Sequence, residues 1–416
     1  MGNKACPLRL TLAAIALAFL GAANHADAQT FSVLYNLASN SGPYGGVVFD
    51  SAGNLYGTTS GGGTYSGGTV YELSPQAGGG WTETILHSFN NTLPPVDGCS
   101  PFAGLAIDSA GDLYGTTRAC GSQGGGTVFE LTPGSNGVWT ETILHDFSIN
   151  SSREDGSQPY STPVLDSAGN LYGTTLEGGA GLEGTVFELE RGVRGWQEKV
   201  IYSFVPDAEG DGGYLPYAGV TLGTDGNIYG TTSSCTCSFI NRGTVFELVR
   251  NGGTVVGEKV LHYFYQNTGD GFTPLAPVVF DAKGNLYGTT SVGGSYGYGT
   301  VFELSLAANG KWKEKILHDL SDTTADGAFP VANVTFDAHG NIYGTTTQGG
   351  TYGYGTVFEL SPTGTGTWIE TILQNFDEGD GDGPSGSLTF DSLGNLYSTA
   401  LGGSANDGGN VFEVTP

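Results

Sequence analysis

The residues best equipped for chemistry in this sequence come in series. Asp-Gly-x-x-Pro occurs at Asp97, Asp155, Asp270, Asp326 and Asp380, with a one-residue-longer variant at Asp211. A carboxylate beside a glycine suits two tasks. It can start a tight turn by accepting backbone N–H bonds, or it can join its copies as oxygen ligands for a hard cation such as Ca²⁺. Tyr65, Tyr296, Tyr298, Tyr352 and Tyr354 lie in nearby glycine-rich loops, and carboxylates with aromatics also suit a sugar or an organic cation. The six aspartates are therefore the candidate ligand- or cation-binding set, with Ca²⁺ as the candidate ion.

Other reactive side chains read as structural. His87, His145, His262 and His318 occur once per repeat at one position, so they are expected far apart, with no metal shared between them. Glu72, Glu130, Glu188, Glu247, Glu303, Glu359 and Glu413 occupy another repeated position, which suits a hydrogen bond to a neighbouring backbone. Composition leaves a Ser-His-Asp triad open, but no Gly-x-Ser-x-Gly elbow is expected, and the Gly-x-Gly runs precede no helix, which excludes phosphate loops. No catalytic residue is assigned. Cys235-x-Cys237 lacks the second pair that zinc needs, and its partners stay open. Cys99 and Cys120 flank the first two strands of one repeat, so their thiols are expected on one face as a disulfide.

The elements that must position these groups follow from a long internal repeat. Gly-Asn-Leu-Tyr-Gly-Thr-Thr, or a near copy, begins at Gly53, Gly111, Gly169, Gly226, Gly284, Gly340 and Gly394. Each copy continues through a glycine-rich stretch into Gly-Thr-Val-Phe-Glu-Leu, then usually Trp-x-Glu-x-Ile-Leu-His-x-Phe. In the second copy four short strands are predicted, over 102–108, 112–117, 127–132 and 139–147, each rich in β-branched and aromatic residues. Asp-Ser-Ala-Gly-Asn, which reads Asp-Ser-Ala-Gly-Asp in this copy, is a tight turn between the first two. No sustained 3.6-residue apolar pattern appears.

The fold class is therefore all-β, and seven four-stranded units at 54–58-residue spacing predict a seven-bladed β-propeller. The last copy stops after a third strand, while residues 31–37, Phe-Ser-Val-Leu-Tyr-Asn-Leu, match fourth strands such as 200–204. The N-terminal strand is predicted to complete blade seven and close the ring. The repeated Tyr56, Tyr114, Tyr172, Tyr229, Tyr287, Tyr343 and Tyr397, with Trp81, Trp139, Trp196, Trp312 and Trp368, are expected to pack between blades.

Residues 1–28 have the layout of a signal peptide. Lys4 and Arg9 precede an apolar run from Leu10 to Ala23, and Ala26-Asp27-Ala28 offers a cleavage site. The run is shorter than the roughly 20 residues of a membrane span. Cleavage near Ala28 removes Lys4, Arg9 and Asp27, leaving 12 basic against 40 acidic residues, a net charge of −28. Phosphate backbones and anionic lipid repel such a chain, which argues against nucleic acid and membrane insertion as partners. Residues 29–416 are expected to form one monomeric propeller, secreted or periplasmic.

The unit resembles the Gloeobacter–Verrucomicrobia (GloVer) repeat of exported bacterial proteins with varied anchors. The resemblance rests on Gly-Asn-Leu-Tyr-Gly-Thr-Thr at 53–59, Gly-Gly-Thr-Val-Tyr-Glu-Leu at 67–73 and their six later copies. It implies export and brings no assigned activity. Many members end in a sorting anchor; without one after Pro416, free secretion or periplasmic residence is expected. The segment 275–287 is also similar, more distantly, to NHL and virginiamycin-lyase-like propellers. The function expected is a non-catalytic binding or surface-interaction module for a glycan, small molecule or surface protein. The alternative is a secreted lyase or hydrolase acting on carbohydrate or a small molecule.

Overall fold

The computed structural model describes residues 29–92, 96–149, 155–193, 195–205, 212–235, 242–265, 269–403 and 405–416. The proposed signal peptide, Asp211 and Cys237 lie outside these. Among the described residues the chain forms seven antiparallel four-stranded blades and no helix. It is a seven-bladed β-propeller. Blade one comprises Val48–Phe49, Leu55–Thr59, Thr69–Pro75 and Trp81–Ser88, in the same order in sequence and in space.

The second strand shows why the repeat is written as it is. All five residues of Leu171–Thr175 are buried, because this strand lies within its sheet and is covered on both faces. Its glycine packs under the paired strand's aromatic ring, where a Cβ on Gly173 would sit 2.4 Å from Cζ of Phe187; blade seven has Ser398 at this position, opposite Phe412. The first threonine reaches the next blade. Thr58 Oγ1 donates to Ala103 O (2.6 Å), Thr116 to Ser161 O (3.0 Å), and so on to Thr399, which donates to Gly45 O (2.9 Å). The second threonine bonds the third strand of its own blade, as in Thr175 with Thr185 (2.8 Å).

That belt also explains a difference from expectation. The inner strand of blade two pairs only over Ala106–Ile107, not over 102–108. Residues ahead of it give their hydrogen bonds to the neighbouring blade, and adjacent backbones nearly touch: a Cβ on Gly45 would lie 2.2 Å from Gly104 N.

Ring closure is a strand exchange between the two ends of the chain. Thr30–Asn36 pairs antiparallel with Asn410–Thr415, from Thr30↔Thr415 to Asn36↔Asn410. Its register shifts between Val33 and Tyr35, where the outer strands of the other blades also bulge. Leu37 is fully buried and donates to Gly409 O (3.0 Å). An open edge, ready to pair with another chain, is thereby removed.

Seven hydrophobic clusters hold the blades together, each mixing residues of two neighbours. Tyr56, Val70 and Phe89 of blade one pack on Leu105, Leu113, Phe129 and Leu131 of blade two. Aromatic pairs cross the same junctions, including Phe89–Phe129 (5.0 Å) and Tyr56–Trp139 (5.9 Å), both edge-on. Such pairs contribute about 0.5–1.5 kcal/mol each beyond area burial. The repeated tyrosines thus pack between blades, as their recurrence in every copy predicts.

Candidate functional site

Each Asp-Gly-x-x-Pro segment carries the chain from one blade's outer strand to the next blade's inner strand. The glycine lets the loop lie flat on the second threonine of the motif above. A Cβ on Gly271 would fall 2.0 Å from Thr290 Oγ1, and one on Gly327 2.2 Å from Thr346 Oγ1. The residue before the proline is left-handed, even at β-branched Thr273 (φ 56°) and bulky Phe329 (φ 57°). That conformation costs energy for such residues, and two bonds fix it. Thr273 N donates to Arg242 O (2.8 Å), while Thr273 O accepts from Ser291 N (3.1 Å).

The aspartates do not gather at the channel mouth. Asp97 lies 3.2 Å from His87 Nε2, Asp155 3.2 Å from His145 and Asp326 3.2 Å from His318; Asp270 is 3.6 Å from His262. Asp380 accepts from Gln374 Nε2 (2.8 Å), and Asp211 is outside the described residues. The reason is local. Each aspartate lies five to nine residues beyond the end of an outer strand, which carries the histidine in four cases and Gln374 in the fifth. Three of them also cap the backbone there, accepting from Asn90 N, Ser148 N and Tyr265 N. The turn role is real, and none of the five described aspartates lines the channel.

A third group completes each cluster, and sequence reading missed it. The glutamate of Trp-x-Glu in the following blade reaches back across the junction. His87 meets Glu141 (3.6 Å), His262 meets Glu314 (3.4 Å) and His318 meets Glu370 (3.4 Å). Glu198 joins His145 and Asp155 in the same way. The histidines are indeed far from one another, yet each has two carboxylates beside it, within 4.8 Å. Reading one repeat at a time hides this, because the cluster spans two.

The missing signal was covariation along the chain itself. Where histidine is replaced, the set changes: Tyr202 donates to Glu258 (2.7 Å) at one junction, and Tyr35 stands against Glu83 at the closing one. At the junction of blades six and seven, Gln374 takes the histidine position and Phe31 holds the register of the glutamate.

Burial dominates the electrostatics of these junctions. It pushes Glu141 and Glu370 up to about 8, and Glu198 and Glu314 to about 7; the imidazole opposes this and the neighbouring aspartate adds to it. Burial would lower His87 and His318, but the hydrogen bonds they make to their aspartates and the nearby carboxylate charges raise both. Several atoms have no hydrogen-bond partner: Oε1 of Glu141, Glu198, Glu314 and Glu370, with Asp270 Oδ1 and His262 Nε2.

The channel mouth is built from the residue after each repeat's proline. Those residues run Tyr44, Phe102, Tyr160, Tyr217, Leu275, Val331 and Ser385, and all line one cavity of about 620 Å³. Blades one to four thus supply a continuous aromatic arc. Ring centroids are 4.5 Å apart for Tyr44–Phe102, 5.6 Å for Phe102–Tyr160 and 4.6 Å for the stacked Tyr160–Tyr217. The Arg118 guanidinium lies over Tyr160 (4.9 Å) and Phe102 (5.5 Å). Ser161, Thr162, Asn333 and Ser387 add polar groups. Among the described residues lining the cavity there is no carboxylate, imidazole or thiol.

The remaining sequence candidates fall elsewhere. Tyr65, Tyr296 and Tyr352 are exposed on loops away from this lining. Four of the third-strand glutamates accept from the paired tyrosine hydroxyl, as in Tyr114 to Glu130 (2.9 Å) and Tyr397 to Glu413 (2.9 Å), while Glu72 and Glu359 accept from Ser74 and Ser361. The string Gly293-Gly294-Ser295-Tyr296-Gly297 does spell Gly-x-Ser-x-Gly. It turns between two strands, and Ser295 Oγ donates to Asp319 (3.1 Å), so it is no nucleophile elbow. Cys99 and Cys120 are joined in a disulfide, and Cys235 is also disulfide-bonded.

A family model for the Gloeobacter/Verrucomicrobia repeat matches residues 23–239 and 216–416. Among solved structures, the crystal structure of puromycin hydrolase superposes with a TM-score of 0.53 at 14% identity. It covers 90% of this chain and 52% of that one. The chain therefore spans about half the length of that enzyme, and the likeness is one of fold. Comparison with curated proteins finds no match.

Proposed function

The chain belongs to the Gloeobacter/Verrucomicrobia repeat family, and on that footing we propose that it is an exported, non-catalytic binding protein that takes a sugar at its channel mouth. One observation carries the reading: the arc of Tyr44, Phe102, Tyr160 and Tyr217 around an open cavity. Aromatic rings take the C–H face of a sugar, while Ser, Thr and Asn side chains and tyrosine hydroxyls take its hydroxyl groups. A cavity of about 620 Å³ lies within the roughly 300–1,000 Å³ of small-ligand sites. Arg118 over two of the rings disfavours an organic cation there.

Binding is favoured over catalysis by the lining itself. The described lining offers hydroxyl groups, but no carboxylate or imidazole stands among them as a general base to activate one. Export is supported by the layout of residues 1–28 and by the Cys99–Cys120 disulfide, a bond of oxidising compartments.

The test is calorimetry of residues 29–416 against neutral and uronic-acid oligosaccharides, repeated with Tyr160→Ala and Tyr217→Ala. Losing one stacking ring is expected to weaken binding about tenfold, corresponding to about 1.4 kcal/mol. No binding across the panel, or equal affinity in both variants, refutes the proposal.

A further inference from the structure

We propose that the four junction clusters, His87/Asp97/Glu141, His145/Asp155/Glu198, His262/Asp270/Glu314 and His318/Asp326/Glu370, are divalent metal sites of the zinc type, each clamping one blade to the next. Every cluster offers one imidazole nitrogen and two carboxylate oxygens, drawn from two blades and lying within 4.8 Å of one another. Two carboxylates balance the charge of one divalent ion when the imidazole is neutral. The fourth position of a tetrahedral ion is then left for water.

The spacing also suits an ion, the His–Asp hydrogen bonds of three clusters being long at 3.2 Å. Charge-assisted N–H···O bonds run at about 2.7–2.9 Å. Around His262 the separations are 3.4 and 3.6 Å, around His318 3.2 and 3.4 Å, and around His87 3.2 and 3.6 Å. Zinc holds nitrogen and oxygen ligands at about 2.0–2.1 Å, so the edges of its tetrahedron are about 3.3–3.4 Å. The gap between the side chains has the size of that edge.

The second observation concerns hydrogen bonding. At the blade four to five junction all three residues present a buried polar atom with no hydrogen-bond partner: His262 Nε2, Asp270 Oδ1 and Glu314 Oε1. The glutamates of the other three clusters each do the same through Oε1. Buried polar atoms are rarely left so, and the same three residue types meet at all four junctions. A coordinated ion satisfies the imidazole nitrogen and draws in the carboxylates.

The donor set also selects the ion. Calcium takes six to eight oxygen ligands at about 2.3–2.6 Å, whereas these clusters supply three donors, one of them nitrogen. The calcium expected from the aspartates alone thus gives way to zinc or a similar ion, at the blade junctions and not at the channel mouth. The fold also carries its own controls. The junctions with Tyr202, Gln374 and Tyr35 in the histidine position lack the imidazole.

The experiment uses untagged residues 29–416, stripped with a chelator and titrated with Zn²⁺. Bound metal is counted by atomic emission after gel filtration, and the melt is followed by calorimetry. Four equivalents are expected, with a higher melting temperature. His262→Gln with His318→Gln should bind two, and the fold should tolerate both because Gln374 already fills this position in blade six. Calcium at the same concentration should leave the melt unchanged. Less than one equivalent in the wild type, or equal stoichiometry in the double variant, overturns the proposal.

Discussion

Leu37→Ala tests whether the N-terminal strand is part of the ring's cooperative core. Leu37 is fully buried among Val47, Leu55, Tyr71, Leu73, Tyr397 and Val411, where blade seven meets blade one. Leu320 is its counterpart in an uninterrupted blade: it too is fully buried, and its N–H donates to Gly299 O at 3.0 Å, as that of Leu37 does to Gly409 O. Truncating a buried leucine costs about 2–5 kcal/mol from lost transfer energy and the cavity left behind. With matched burial and matched backbone bonds, Leu37→Ala and Leu320→Ala should cost the same to within about 1 kcal/mol. Equilibrium urea unfolding measures both, provided the slopes agree with that of the wild type. A tail that merely rests on the ring behaves differently: it frays locally, and its truncation leaves the global transition in place. If Leu320→Ala loses the expected stability while Leu37→Ala stays within about 0.5 kcal/mol of wild type, the closing strand is dispensable and the reasoning fails.

Two further outcomes follow from local geometry. Gly344→Ala drives a methyl to 2.5 Å from Cζ of Phe358; it should lower stability by about 1–3 kcal/mol through overpacking, and an unchanged unfolding midpoint would show that the ring yields freely. Acid should weaken the Asp-x-x-Gly-Asn turns. Burial would raise Asp337 and Asp391, but backbone and side-chain hydrogen bonds hold both below the ordinary aspartate value. Carboxylates depressed in the folded state stabilise it above the unfolded value of about 3.9, and that contribution is lost as pH falls through the lower folded value. Asp337→Asn with Asp391→Asn should therefore melt below wild type at pH 5, with the gap closing towards pH 2.5. A gap constant across that range would assign the turns no charge dependence.

The fold was legible because every blade repeats its own reasons. Leu-Tyr-Gly-Thr-Thr encodes a fully buried strand, a glycine under a phenylalanine and a threonine bonded to the next blade. The offset between the chain's two ends revealed the closure in the same way. The site was legible only in its parts. Asp97, His87 and Glu141 each stand out as repeated letters, but their meeting depends on the order of blades around the ring and on a turn that directs the aspartate to the outer strand. The channel lining carried a weaker signal still. The position after each proline is occupied by Tyr, Phe, Leu, Val or Ser, so it does not repeat, and a search for recurring letters passes over it.

The pairing of Thr30–Asn36 with Asn410–Thr415 also fixes a sequence of events. A chain is made from its N-terminus, so the strand that closes the ring is the first of the propeller strands to be synthesised and its partner the last. Six blades can form from contacts within one repeat, of low contact order, while the seventh joins residues almost the whole chain apart and must overcome the largest loop-closure entropy. Throughout that interval Phe31, Leu34 and Leu37 have no blade to cover them, and the unpaired edge of their strand faces other chains. Misassembly, when it occurs, is most readily seeded there, by a strand exchanged between two copies that satisfies the same hydrogen bonds in the wrong ring.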